Sequence, residues 1–308
     1  MKTRLGVVGV GHLGQHHARL LAGMDDVDLV GVVDTDSARA QQIATQYGTK
    51  VVDTAAALLT QVDAVVIASP TVTHVALSLP FVEAGVAVLV EKPIAESLSA
   101  VDRLLDAAAQ RNTLVACGHT ERFNPAVAAA APFVVHPRFV EIHRLGTFPE
   151  RSLDIDVIFD LMIHDLDLLL SLVGEEVVSI EAVGVNVLTP KLDIANVRLR
   201  FAGGCIANLT ASRISRERVR KVRFFQPQAY VSVDFAAQEA EVYRLVVKDG
   251  RPTIEGGKLD VPREEPLLAE LRDFVAAVRD GRPPRVSGQA GRAALDLATR
   301  VAQAVESQ

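Results

Sequence analysis

The sequence predicts an α/β half built on a doubly wound parallel sheet, followed by an α+β half with a large, mainly antiparallel open sheet. Three observations predict it. Over residues 1–120, short apolar runs of strand length alternate with helix-length segments, which is the texture of βαβ units. A glycine-rich turn, Gly9-Val10-Gly11-His12-Leu13-Gly14, stands between the first strand and the first helix. From Phe139 onward the apolar residues alternate with polar ones between turn signals, as in antiparallel strands. A chain of 308 residues holds two domains comfortably, read as 1–120 and 121–308.

Composition narrows the function. The net charge is -6, and the only cationic cluster is local, Arg213 to Arg223, so no nucleic-acid partner is expected. No charge-free apolar run approaches the roughly 18 to 20 residues that span a bilayer. Met1-Lys2 leads straight into a strand, with no segment of signal-peptide character. Cys117 and Cys205 match no metal or redox spacing. The expectation is a soluble cytoplasmic protein with reduced thiols, no metal and no membrane contact.

Arg4–Val10 is the first strand and Gln15–Ala22 the first helix. A second strand, Leu29–Val33, ends in Asp34, 20 residues past Gly14, which is dinucleotide-fingerprint spacing. Gly9 permits the tight turn, Gly11 lets backbone approach a pyrophosphate, and Gly14 lets helix pack on strand. The helix N-terminus offers N–H groups and partial positive charge to phosphates. Asp34 would accept hydrogen bonds from both ribose hydroxyls and repel a 2′-phosphate, so NAD is expected over NADP. His12 and Leu13 lie inside the cofactor turn. His12, His16 and His17 otherwise read as helix-surface or loop residues.

Ser37–Tyr47 is a helix, Lys50–Val52 a short strand and Thr54–Thr60 a short helix. Asp63–Ala68 is a buried strand ending in Ser69-Pro70-Thr71-Val72-Thr73-His74. Ser69 and Thr71 line the same crevice as the glycine turn, on the nicotinamide side, and Thr73 caps the helix His74–Ala84. His74 sits with these cofactor residues, either as a structural histidine at the helix start or as a catalyst. Ala87–Val90 is a buried strand that stops on Glu91-Lys92-Pro93, because proline cannot donate to a ladder. A lysine at the carboxyl end of such a strand can donate a proton or anchor a charge. Ser97 caps a helix over Leu98–Gln110, and Thr113–Cys117 completes about six parallel strands.

Gly118–Pro125 breaks the alternation, with Asn124 and Pro125 starting a helix into an alanine run. Strands follow at Phe139–Leu145, Ile180–Leu188, Ala195–Phe201, Cys205–Ser212 after a Gly203-Gly204 turn, Lys221–Phe225, Ala229–Phe235 and Ala240–Val247. Helices Glu264–Asp280 and Gly288–Ser307 close the chain. Such a sheet has a face free to pack on another subunit. Asp156–Asp167 reads as a helix in which Asp160, His164 and Asp167 share one face. A carboxylate four residues from an imidazole can fix its tautomer and support a general base. An acid near a helix start beside a core histidine has the same pattern.

Together these features resemble the Gfo/Idh/MocA family (glucose-fructose oxidoreductase, inositol dehydrogenase and relatives), over essentially the whole chain. The carriers are Gly9–Gly14, Asp34, Ser69–His74, Glu91-Lys92-Pro93 and the Asp160/His164 pair. The resemblance implies a Rossmann domain, NAD as cofactor, and Lys92, Asp160 and His164 as the catalytic set around a substrate hydroxyl. It also places Glu91 near the nicotinamide ribose and implies a cis Lys92–Pro93 bond. Where many members carry Gly-Gly before the Asp/His helix, this chain has Asp156-Val157.

Gly118–Pro125, Asp160–Asp167 and Ala207–Arg213 are similar to the nucleotide-sugar branch of that family. Most similar are the UDP-N-acetylglucosamine 3-dehydrogenases that work with an aminotransferase on the 3-amino sugar of lipid A. This implies oxidation of a sugar 3-hydroxyl, with Arg122, Asn124, Arg144, Arg151, Asp165 and Arg213 toward the substrate. Arg216 and Arg220 join the arginines suited to a diphosphate. A homodimer or homotetramer and a pathway aminotransferase are the expected partners. Two rivals are a dehydrogenase of a free sugar, inositol or another nucleotide sugar, and a non-catalytic NAD-binding regulator. The regulator has no need of Lys92, Asp160 and His164 together.

Overall fold

The computed structural model describes residues 2–148 and 155–307. The chain forms two compact units, Met1–Thr120 with Leu267–Leu295, and Glu121–Pro266 with Asp296–Gln308.

In the first unit, β1 (Thr3–Val8), β2 (Val27–Val33), β3 (Ala64–Ile67), β4 (Ala87–Glu91) and β5 (Val115–Gly118) form a parallel sheet in the order β2-β1-β3-β4-β5. Helices α1 (Gly14–Ala22), α2 (Ser37–Tyr47), α3 (His74–Glu83) and α4 (Leu98–Arg111) make the crossovers. Every residue of β3 and β4 is buried, as in a sheet covered on both faces. The strand order turns between β1 and β3, so their carboxyl ends flank a crevice of the ligand-binding kind. The sheet has five strands rather than about six. Lys50–Val52 reduces to one parallel bridge, Val32↔Val51, because only two apolar residues stand there between Lys50 and Asp53. The Asp36 carboxylate caps α2 at the Arg39 amide (3.0 Å), and the Ser97 hydroxyl caps α4 at the Ala100 amide (3.2 Å).

The second unit opens with α5 (Pro125–Ala130), β6 (Phe139–Leu145) and α6 (Ile163–Val173), the last preceded by a π-helical turn, Ile158–Met162. There follow β7 (Val177–Val185), β8 (Ile194–Phe201), β9 (Ile206–Ser212), β10 (Val219–Gln226), β11 (Ala229–Asp234), β12 (Glu239–Lys248) and β13 (Arg251–Lys258). They join β6 in an eight-stranded sheet ordered β13-β12-β11-β10-β6-β9-β8-β7, antiparallel except where β6 meets β9. Alternate residues of β6 and β8 are buried, so one face of the sheet forms the core. The other face carries an aromatic row across four strands. Phe139 and Phe225 stack at 5.5 Å, Phe225 meets Tyr230 at 5.3 Å, and Tyr230 meets Tyr243 at 6.4 Å. The edge strand β13 has no counterpart in the sequence reading. Pro252, Gly256 and Gly257 erase its alternation, and Gly256 (φ 138°) admits no side chain, since a Cβ would lie 1.9 Å from the Val242 carbonyl oxygen.

The C-terminal helices α7 (Pro266–Asp280) and α8 (Gly288–Glu306) do not belong wholly to the second half, where the sequence reading put them. Leu271, Phe274 and Val275 of α7 are buried with Leu5, Val7, Leu21, Ile43, Val66 and Leu89 in the core of the first unit. Gly291 of α8 lets the helix approach Cys117, whose Sγ would be 2.7 Å from a Cβ there. The apolar face of α7 matches the parallel sheet, whereas α8 from Asp296 onward goes with the open one, Arg300 donating to the Val177 carbonyl at 2.8 Å. Among the described residues, no helix is long and apolar enough to cross a membrane.

Candidate active site

The glycine turn is shaped by contacts that exclude side chains. Gly9 has φ 85°, and a Cβ there would lie 2.8 Å from the Ala68 carbonyl and the Ser69 amide. A Cβ on Gly14 would fall 1.8 Å from the Gly9 carbonyl oxygen, so α1 starts against the turn. A Cβ on Gly11 would meet nothing within 4 Å, and Gly11, His12 and Leu13 are exposed. Leu13 provides no side-chain cap to α1, which leaves its first turn open to an anion. These residues fit the pyrophosphate of a dinucleotide.

At the end of β2, the half-buried Asp34 carboxylate accepts from the Val10 amide (2.7 Å) and the Asp36 amide (2.9 Å). Arg39, which the sequence reading passed over, donates to the Val10 carbonyl (3.1 Å) and to Gln15 Oε1 (2.7 Å). An acid and a locked guanidinium therefore share one residue of the cofactor turn. Asp34→Ser should lower kcat/KM for NAD about 10- to 100-fold, the loss of a charge-assisted hydrogen bond, and raise the relative use of NADP. Steady-state kinetics with both dinucleotides checks this.

The loops after β3 and β4 are tied together by His74. Its Nε2 lies 2.8 Å from the Ser69 carbonyl oxygen and its Nδ1 2.9 Å from that of Pro93. The ring is 1% exposed, and burial holds its pKa below the ordinary histidine range against the pull of both carbonyls. The sequence reading placed His74 with the cofactor residues, either as a structural histidine at the helix start or as a catalyst. Both ring nitrogens are turned to backbone oxygens, the arrangement of the structural alternative. The Thr73 hydroxyl makes no cap to α3, but bonds the Ser69 hydroxyl and the Pro70 carbonyl at 2.7 Å each. Ser69 and Thr71 are half-buried at the head of this loop.

Lys92 is half-buried beyond β4, and the Lys92–Pro93 peptide is cis. Glu91 does not face outward toward a ribose. It is 5% exposed, and its Oε1 accepts from His17 Nε2 at 2.7 Å. His17 is fully buried, contrary to the surface position expected of it. Its turn of α1 faces the sheet, so Gly14, His17, Ala18 and Leu21 form the buried stripe. Burial pushes the Glu91 carboxyl up, but His17 and Lys92 outweigh it and hold the group below the usual carboxylate range.

In the second unit, Asp160 and His164 are half-buried. Asp160 lies in the π-helical turn and His164 in the first turn of α6. Single π turns are frequent at functional positions. The expected regular helix therefore begins at Ile163, and Asp167 stays three residues from His164 on it, 3.6 Å from Arg122. The Leu192 amide donates to the Asp156 carboxylate (2.8 Å), which anchors the chain before the π turn.

Several arginines expected at the substrate are committed inside the protein. Arg144 grips Asp165 through Nε (2.8 Å) and a terminal nitrogen (2.7 Å), and reaches Glu121 at 3.0 Å. Its guanidinium also lies 5.4 Å from the Phe235 ring centroid. Arg144 and Asp165 are 5% and 1% exposed, so a substrate would have to displace a buried pair. Arg213, 3% exposed, donates to the Ile155 and Leu192 carbonyls and stands 3.6 Å from Asp193. Asn124 caps α5 at the Ala126 amide and donates to the Phe235 carbonyl (3.1 Å each). These are corrections with one cause, since each side chain satisfies buried backbone or an internal charge. Arg151 lies outside the described residues.

Arg220 differs. It stands directly across the β10–β6 ladder from Arg144, it is exposed, and among the described residues its side chain makes no hydrogen bond, although its carbonyl accepts from the Phe235 amide (2.9 Å). Arg218, two residues before it, reaches the Thr147 hydroxyl at 3.2 Å.

Comparison with known proteins gives these features a context. The sequence profile described as "Oxidoreductase family, NAD-binding Rossmann fold" matches residues 3–119, and that of the "GFO/IDH/MocA C-terminal domain" matches residues 137–231. UDP-N-acetylglucosamine 3-dehydrogenase of Acidithiobacillus ferrooxidans is 41% identical over 308 aligned residues, covering 99% of this chain and 97% of that protein. Inositol 2-dehydrogenase of Rhizobium meliloti is 30% identical, again with 99% and 97% coverage. A solved structure of the A. ferrooxidans enzyme aligns at TM-score 0.92 and 40% identity, covering 100% of this chain and 99% of that one. With both family domains matched in order around a turn that fits a dinucleotide, the chain belongs to the Gfo/Idh/MocA family of NAD-binding oxidoreductases.

Proposed function

We propose that this chain oxidises the 3-hydroxyl of UDP-N-acetylglucosamine with NAD, giving the 3-keto sugar nucleotide, NADH and a proton. The observation that carries the reading is 41% identity, across nearly the whole chain, with an enzyme of that name. Held at the Gly9–Gly14 turn and Asp34, NAD would supply the acceptor for the carbinol hydride. Lys92 and His164 hydrogen-bond the reacting hydroxyl, one of them takes its proton, and Asp160 orients His164. Arg220 and Arg218 supply the exposed cations that a diphosphate needs in a protein of net charge -6.

The test is NADH formation by the purified protein with UDP-N-acetylglucosamine, in the presence of a carbonyl trap or a partner aminotransferase. UDP-glucose, free N-acetylglucosamine and inositol run beside it. Turnover confined to the UDP-amino sugar is the expected result. Arg220→Gln should then raise its KM about 10-fold or more at nearly constant kcat, because only uniform binding is removed. Turnover with inositol alone would move the reading to a polyol dehydrogenase, which the 30% identity with an inositol enzyme favours as second choice.

The protein works as a homodimer or homotetramer in the cytoplasm. The aromatic row on the open sheet, flanked by exposed Leu245 and Ile254, supports the first statement. Cys117 and Cys205, both buried thiols, are in keeping with the second.

A further inference from the structure

A buried carboxylate at the last position of a fully buried strand is an expensive choice. Ala87, Val88, Leu89 and Val90 are all apolar, and Glu91 follows them into the same interior. Burying such a charge is unfavourable unless it is paired and hydrogen-bonded. A valine there would continue the strand without that cost.

The Glu91 carboxylate is fixed on three sides. Oε1 accepts from His17 Nε2 of α1 at 2.7 Å. Oε2 accepts from the backbone amide of Lys92 at 3.2 Å. Gly118, at the end of β5, leaves room for it, since a Cβ there would lie 3.0 Å from Oε2. The group that moves if this carboxylate moves is the backbone of Lys92. The opposite side of the same loop is braced by His74 at the Pro93 carbonyl. Lys92 therefore leaves the sheet between two histidine-held points.

We infer that His17 is a positioning residue for Lys92, acting through Glu91. The inference rests on the reading of Lys92 as a group at the reacting hydroxyl. His17 touches neither the substrate nor, by its full burial, the solvent around it. It holds the carboxylate that holds the lysine's backbone, and it stands three residues after Gly14 on the helix that begins at the dinucleotide turn. A displacement of order 1 Å at a reacting group is enough to cost about 100-fold in rate.

The experiment compares His17→Phe, His17→Gln and Lys92→Ala, each with kcat, NAD affinity by fluorescence titration, and melting temperature. His17→Phe removes the donor, while His17→Gln keeps an N–H at similar reach. The expected result is a 10- to 100-fold fall in kcat for His17→Phe, NAD affinity within about 2-fold, and recovery of most of the rate in His17→Gln. Full kcat in folded His17→Phe beside an inactive Lys92→Ala would overturn the inference and leave Lys92 in place. Full kcat in Lys92→Ala would remove both. Equal losses of rate, NAD affinity and melting temperature in both His17 variants would make His17 merely structural. Should His17→Phe not fold, Gly118→Ala perturbs the same carboxylate from β5, and the same loss of kcat at constant NAD affinity is required of it.

Discussion

Replacing Lys92 with alanine should lower turnover by about 10²- to 10⁴-fold while NAD affinity stays near its original value. The side chain stands beyond the end of β4, outside the residues that shape the dinucleotide turn, so cofactor binding has no reason to change. Oxidation of a secondary alcohol moves a hydride and a proton together, and a positioned acceptor for the proton is worth that range. kcat and kcat/KM should fall in parallel, since the interaction removed strengthens in the transition state. Steady-state rates with a separate NAD titration decide it. A rate within 3-fold of the original would remove Lys92 from the reaction.

The largest effect on stability should come from Asp165→Ala. Arg144 would lose both carboxylate bonds at 2.7 and 2.8 Å and keep only Glu121 at 3.0 Å, inside a core where it is 5% exposed. Stranding one member of a buried pair costs about 3–5 kcal/mol. The Arg144 pKa is already raised by Asp165 and Glu121 against the effect of burial, so neutralising the guanidinium offers no escape. Denaturant unfolding should show a lower midpoint at unchanged slope. Replacing the whole cluster (Arg144→Met, Asp165→Leu, Glu121→Gln) should recover most of the loss, because no charge is then left unpaired. An Asp165→Ala midpoint equal to the original would mean that Arg144 is not buried in solution.

The fold was legible where residue type and spacing carry a mechanism. Gly9, Gly11, Gly14 and Asp34 could be read because each position has its own steric or electrostatic demand, and the contacts around Gly9 and Gly14 are of that kind. Alternation exposed most strands of the open sheet, but not β13, whose proline and glycines leave no period to read. Side chains whose role depends on a distant partner were not legible. His17 differs from the neighbouring His16 only in facing the sheet, and its link to Glu91 crosses 74 residues. Arg144 and Arg213 looked like open cations because nothing in sequence announces Asp165 or the Ile155 and Leu192 carbonyls as their partners. The π turn under Asp160 was likewise hidden, since apolar periodicity does not separate it from the α6 helix that follows.

The late return of Leu267–Leu295 has a consequence during synthesis. All five strands of the parallel sheet and the whole dinucleotide turn are made within the first 120 residues. The helix that brings Leu271, Phe274 and Val275 to their core emerges about 150 residues later, on the order of ten seconds or more at usual translation speeds. Throughout that interval the nascent domain carries an uncovered apolar face while the next domain is being threaded out behind it. Folding here is not a matter of finishing one half and starting the other. The first domain is complete only when nearly the last of the second has been made.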